Sequence, residues 1–198
     1  MSTQLLEQLK ALPSFASYIP QEEPYPFSLF SKGIPKSGLV ELSGPWGSGK
    51  TEVILRFLSE NHTLKTAWIE REFNFFPPVL MEHKLGLRQT LFIDLDYQTF
   101  HPASSQKTPL WCAFQILRSE IFKVLVFSQI DFTETELRRL QLLTKQTGTL
   151  IFFLKTSASQ QKSWPLSLQL GVKRTPTDPH PVLTLIRAKG FSAWPTLV

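Results

Sequence analysis

Apolar and polar positions alternate along the chain in two different periods. Residues 39–42, 65–70 and 90–94 read as short strands, and residues 122–127 and 149–154 are nearly continuous apolar runs. Such runs suit strands buried on both faces of a parallel sheet. Between them lie stretches with helical spacing. Ile54, Leu55 and Leu58 follow the first run, and Leu110, Ala113, Phe114 and Leu117 share one side of residues 109–120. Residues 77–84 read as a short helix begun by proline and closed near Gly86. Thr133 followed by Glu136 is a capping box, and Gly148 closes the helix that it opens. Residues 164–172 and 182–188 alternate more and are expected to pair as a hairpin-like end of the sheet. Strands that alternate with helices predict an α/β fold with a mostly parallel central sheet flanked by helices.

The first residues read differently. Leu5, Leu6, Leu9 and Leu12 line one face of a short helix over 3–12. Residues 13–36 carry prolines at 13, 20, 24, 26 and 35, so an extended connector is expected there. Its aromatics, among them Tyr25 and Phe27, call for a surface to lie on, either their own domain or a neighbouring subunit. The organisation expected is therefore a helix and connector over 1–36 and a core over 37–198.

Gly44-Pro45-Trp46-Gly47-Ser48-Gly49-Lys50-Thr51 changes the picture from fold to chemistry. It fits G-x-x-x-x-G-K-[ST] without exception, behind a predicted strand and ahead of a predicted helix. Glycines let the backbone curl so that N–H groups face phosphate oxygens. Lys50 would reach the β- and γ-phosphates, and the Thr51 hydroxyl would ligate Mg²⁺. The helix that follows aims the positive end of its dipole at the same anion. The cofactors expected are ATP and Mg²⁺.

Composition narrows the classes. With 198 residues, 42% of them hydrophobic, the chain can bury one real core. No apolar run reaches membrane-span length, and residues 1–10 lack the pattern of a signal peptide. Cys112 is the only cysteine, which fits a reducing cytoplasm, and the four histidines are scattered, which argues against zinc. The net charge of +5 is uneven: residues 1–136 balance to −3 and residues 137–198 to +8. A basic end can meet phosphates or an acidic partner, and it can equally be a solvated face.

Residues 33–58, GIPKSGLVELSGPWGSGKTEVILRFL, resemble the opening of the RecA ATPase core, and the runs ending at Glu70, Ser128 and Lys155 follow in RecA order. Three further stretches resemble the ImuA family, RecA-like proteins related to the cell-division inhibitor SulA. They are residues 130–159, Trp164 just after them, and the ending VLTLIRAKGFSAWPTLV over 182–198. The resemblance covers roughly residues 30–198. It implies a RecA-like P-loop core and a place in SOS-induced translesion synthesis. The implied partners are an ImuB-like protein, an error-prone polymerase and RecA, with DNA close by. By the same resemblance Glu72 matches the glutamate that polarises the attacking water, although it reads equally as a surface carboxylate.

The departures from RecA matter as much. Ser128 stands where RecA-like enzymes carry the Walker B aspartate, and serine supplies no negative charge for the metal's water shell. Asp131, three residues on, is expected to point elsewhere. Lys155 and Thr156 replace a γ-phosphate-sensing glutamine. Phe76 and Val79 fall where RecA holds adenine, and Phe76 could stack on a base. The connections after 128 and 155 are short, so no strand exchange is expected. Nucleotide binding is favoured over efficient hydrolysis. Thr156, Lys162, Lys173, Arg174, Arg187 and Lys189 remain candidates for contact with DNA or an acidic partner. Two competing classes stay open: a working DNA-dependent ATPase using Lys50, Thr51 and Glu72, and a SulA-like division inhibitor acting by contact alone.

Overall fold

The computed structural model describes residues 23–71, 74–95, 108–159, 165–175, 177–178 and 180–189. The expected helix over 3–12, Glu72, Lys162 and Trp164 lie outside these residues.

Among the described residues, seven strands form one sheet. They are β1 (Gly38–Ser43), β2 (Thr66–Glu70), β3 (Thr90–Asp94), β4 (Val124–Ser128), β5 (Leu150–Lys155), β6 (Leu168–Lys173) and β7 (Val182–Ala188). Their order across the sheet is β3-β2-β4-β5-β1-β6-β7. Every pairing is parallel except β6 with β7, which run antiparallel as the expected terminal hairpin.

The helices are α1 (Lys50–Glu60), α2 (Val79–Glu82), α3 (Pro109–Ser119) and α4 (Glu134–Thr147). Successive side chains in a strand point to opposite faces, so β1 to β5 each feed two cores, whereas β6 and β7 contribute to one. Val40, Leu42, Trp68, Val126 and Phe152 pack with Val53, Ile54 and Phe57 of α1. Leu39, Ala67, Ile69, Leu125, Phe127 and Ile151 pack with Ala113 and Leu117 of α3 and Leu137 and Leu140 of α4. Cys112 is buried in α3. Burial on both sides is why the strands read as continuous apolar runs.

The capping box of α4 is present: the Thr133 N–H donates to Glu136 Oε2 at 2.7 Å, and the Glu136 N–H donates to Thr133 Oγ1 at 3.3 Å. Gly148 closes the helix at φ 60°. The described part of the connector, residues 23–36, finds its surface within its own chain, and residues 13–22 lie outside the described residues. Tyr25 and Phe27 meet the Phe57 ring of α1 edge-on at 5.9 and 5.7 Å, and Phe27 and Ile34 are buried. Asn61, which ends α1, donates its side-chain amide to Pro26 O at 3.0 Å, and Ser28 N–H donates to Glu60 at 2.7 Å. Among the described residues, no helix is long and apolar enough to cross a membrane.

Candidate nucleotide site

Parallel strands bring their carboxyl ends to one edge, and the P-loop lies there. β1 ends at Ser43, and the N–H of Gly44 donates to the carbonyl of Lys155 at the end of β5, at 3.1 Å. The loop curls through Gly47 and Gly49 at φ 75° and 92°, a region that side chains disfavour. Gly49 is also the N-cap of α1, and no side chain caps that helix. The first N–H groups of a helix have no intrahelical partner. Here no serine or aspartate side chain takes them, and a helix start of this kind can receive an anion.

Lys50 is buried. Its ammonium donates to the carbonyls of Gly44 at 2.5 Å and Pro45 at 2.8 Å, and to Ser48 Oγ at 3.4 Å. Burial lowers its pKa below the ordinary lysine value. Loop carbonyls thus hold a cation whose desolvation a phosphate would relieve. Trp46 is exposed at the loop tip, and Thr51 is exposed on the first turn of α1. The loop shape, the uncapped helix and the buried ammonium fit a polyphosphate.

The metal half of the site fits only in part. Thr51 offers its hydroxyl, but β4 ends in Ser128. Three carboxylates among the described residues, Glu70, Glu41 and Asp131, are committed elsewhere. Glu70 accepts from the Trp68 indole at 2.7 Å and from the N–H groups of Asn74 and Phe75 at 2.9 and 3.2 Å. Glu41 accepts from Ser159 N–H at 2.9 Å and from Gln169 Nε2 at 2.8 Å. Asp131 is turned to Lys155, whose ammonium also donates to Ile130 O at 2.6 Å. Lys155 is therefore spent on the β4–α4 connection. Among the described residues, no group of three His, Cys, Asp or Glu side chains could hold a metal ion. Mg²⁺ would be held by Thr51 and the nucleotide's own oxygens, and its chemistry would be charge neutralisation on the phosphates.

The four basic candidates among the described residues do not form one patch. β7 runs against β6, so Lys173 pairs with Val182 at one end and Leu168 with Ala188 at the other. Lys173 and Arg174 stand at the P-loop end, and Arg174 forms an ion pair with Glu52 of α1. Arg187 sits opposite Gln169, and Lys189 N–H donates to Ser167 O at 2.9 Å, both at the far end. Phe76 is exposed, whereas Val79 packs against the core. Sequence reasoning passed over Glu52 and His180, which approach each other to 3.7 Å. No signal along the chain links them, because the contact is made by a strand pair folding back over the loop.

The sheet order, the parallel strands and the P-loop at their carboxyl edge define a RecA-like α/β core. The solved structure titled "Crystal structure of the RadB recombinase" shares it, with a TM-score of 0.57 and 16% identity, over 77% of this chain and 81% of that one. At that identity the likeness is one of fold. No family model matches the chain, and no curated protein matches it.

Proposed function

We propose that this chain is an ATP-binding accessory protein that uses nucleotide as a state signal rather than as fuel. The observation that carries this is the pairing of an intact P-loop around buried Lys50 with a β4 strand ending in Ser128. The first holds phosphates. The second lacks the carboxylate that orders a catalytic metal. Bound γ-phosphate would order the segments beside the loop and bias a partner surface.

The partner class follows from the ImuA resemblance of residues 130–159 and 182–198. On that reading the chain acts in SOS-induced translesion synthesis, beside an ImuB-like protein and an error-prone polymerase, with RecA and DNA as further contacts. Fold alone does not fix this role.

Two measurements test the proposal at its two levels. ATP should bind to the wild-type chain and not to Lys50→Ala, while DNA-stimulated turnover stays at the level of that variant. Turnover well above it would make the protein a working RecA-type ATPase. In the native host, damage-induced mutation frequency should fall both in a deletion and in Lys50→Ala. If neither changed it, the mutagenesis role would be lost. Cell filamentation on overexpression, indifferent to Lys50→Ala, would then favour a division inhibitor.

A further inference from the structure

The end of β6 and the start of β7 run along the P-loop. β6 is parallel to β1, with Gly171 in register with Ser43. Where β1 turns into the loop, β6 carries on beside it. The carbonyl of Val172 lies 2.3 Å from where a β-carbon on Gly44 would sit. On the return, the Pro181 β-carbon lies 3.0 Å from where one on Gly49 would sit. The hairpin thus touches both the first and the last glycine of the loop.

From this hairpin Arg174 donates to Glu52, and His180 Nδ1 lies 3.7 Å from the same carboxylate. Glu52 follows Thr51 in the first turn of α1. A carboxylate there suits the helix dipole but repels a polyphosphate on the adjoining loop. The Arg174 side chain is 40% exposed, and ion pairs that open contribute little to stability. Folding therefore gives weak reason for the pair. The phosphate site gives a better one: a guanidinium has five donors in a planar fork and can serve a carboxylate and a phosphate together.

We propose that Arg174 is a phosphate-contacting residue supplied in cis by the β6–β7 hairpin, with Glu52 holding it beside the P-loop. This rests on the nucleotide reading of Gly44 to Thr51. Bound phosphate takes over part of the Arg174 fork. The hairpin end that carries Lys173 is thereby tied to the nucleotide state, which gives the signal a physical route to the surface.

Equilibrium binding of a fluorescent ATP analogue, followed by anisotropy, tests this on the full chain. Arg174→Ala should weaken binding about tenfold, the scale of one lost charge-assisted hydrogen bond. Arg174→Lys should recover part of that loss, and it carries the test if the alanine variant does not fold. Glu52→Gln should bind more tightly than wild type, because its amide oxygen still accepts from Arg174 while the charge that repels phosphate is gone. A pair that only braces the fold would weaken binding equally in Arg174→Ala and Glu52→Gln. That result would overturn the proposal, as would unchanged binding in Arg174→Ala. Binding that is absent in wild type, or retained in Lys50→Ala, would instead remove the P-loop reading and this one with it.

Discussion

The Glu70 carboxylate takes the indole N–H of Trp68, two residues earlier in the same strand, at 2.7 Å. Its second oxygen receives the backbone N–H groups of Asn74 and Phe75. One buried acid therefore ties the end of β2 to Asn74 and Phe75. Glu70→Ala would orphan a buried indole and two backbone donors. A loss of about 3 kcal/mol in chemical denaturation is expected. Glu70→Gln should lose less, since its amide oxygen still accepts. Equal losses in the two variants would mean that the charge, and not the acceptor geometry, does the fixing.

The loop glycines should not be equivalent. A β-carbon on Gly44 would meet the Val172 carbonyl at 2.3 Å, so backbone has to move. Gly47 has φ 75° and nothing within 4 Å of the same position. Gly44→Ala should cost about 2 kcal/mol, the scale of overpacking a close-packed site. Gly47→Ala should cost about 1 kcal/mol from left-handed strain alone. Thermal melts of the two variants separate them, and a Gly47→Ala protein that falls as far as Gly44→Ala would contradict the spacing described here.

Restoring the missing Walker B acid has a cost built into the register. Ser128 pairs with Glu70 across β4 and β2, so Ser128→Asp sets a second carboxylate beside a buried one. Without metal the variant should be less stable by about 1 kcal/mol, from like-charge repulsion between adjacent strands. Mg²⁺ with ATP should recover that loss and should make ATP affinity more metal-dependent than in wild type. Calorimetry with and without EDTA reads both effects. A variant as stable as wild type without metal would show that the two side chains do not feel each other.

Alkaline titration should move stability and ATP affinity in opposite directions. Burial holds the Lys50 pKa below its unfolded value, so at neutral pH the full cost of a buried ammonium is present. As pH rises from the lowered value towards the ordinary one, the folded chain gives up this proton first. Lys50's contribution to stability therefore improves with pH in that window. Phosphate binding wants the ammonium, so ATP affinity should fall over the same window. Lys50→Met should flatten the stability profile. An ATP affinity that stayed level throughout would separate Lys50 from the phosphates.

The apolar runs and the capping box of Thr133 and Glu136 made five strands and α4 legible along the chain, because those signals are local or periodic. The P-loop was legible for the same reason: eight consecutive residues carry its geometry. The alternating stretches at 164–172 and 182–188 announced the antiparallel pair. What the chain order could not tell was where that pair would lie. Arg174 and Glu52 are 122 positions apart, and they meet because β6 joins the sheet beside β1 and β7 returns across Gly49. The same packing separates Lys173 and Arg174 from Arg187 and Lys189, which composition had merged into one basic end. It also commits Asp131 to Lys155 and Glu70 to Trp68, so neither of these two acids substitutes for the one missing at Ser128. Local sequence thus determined the elements and the phosphate loop, because short-range sterics and hydrophobic period suffice for them. The tertiary structure alone decided which charges face that loop, because strand order and register are set by how the two cores close on the sheet.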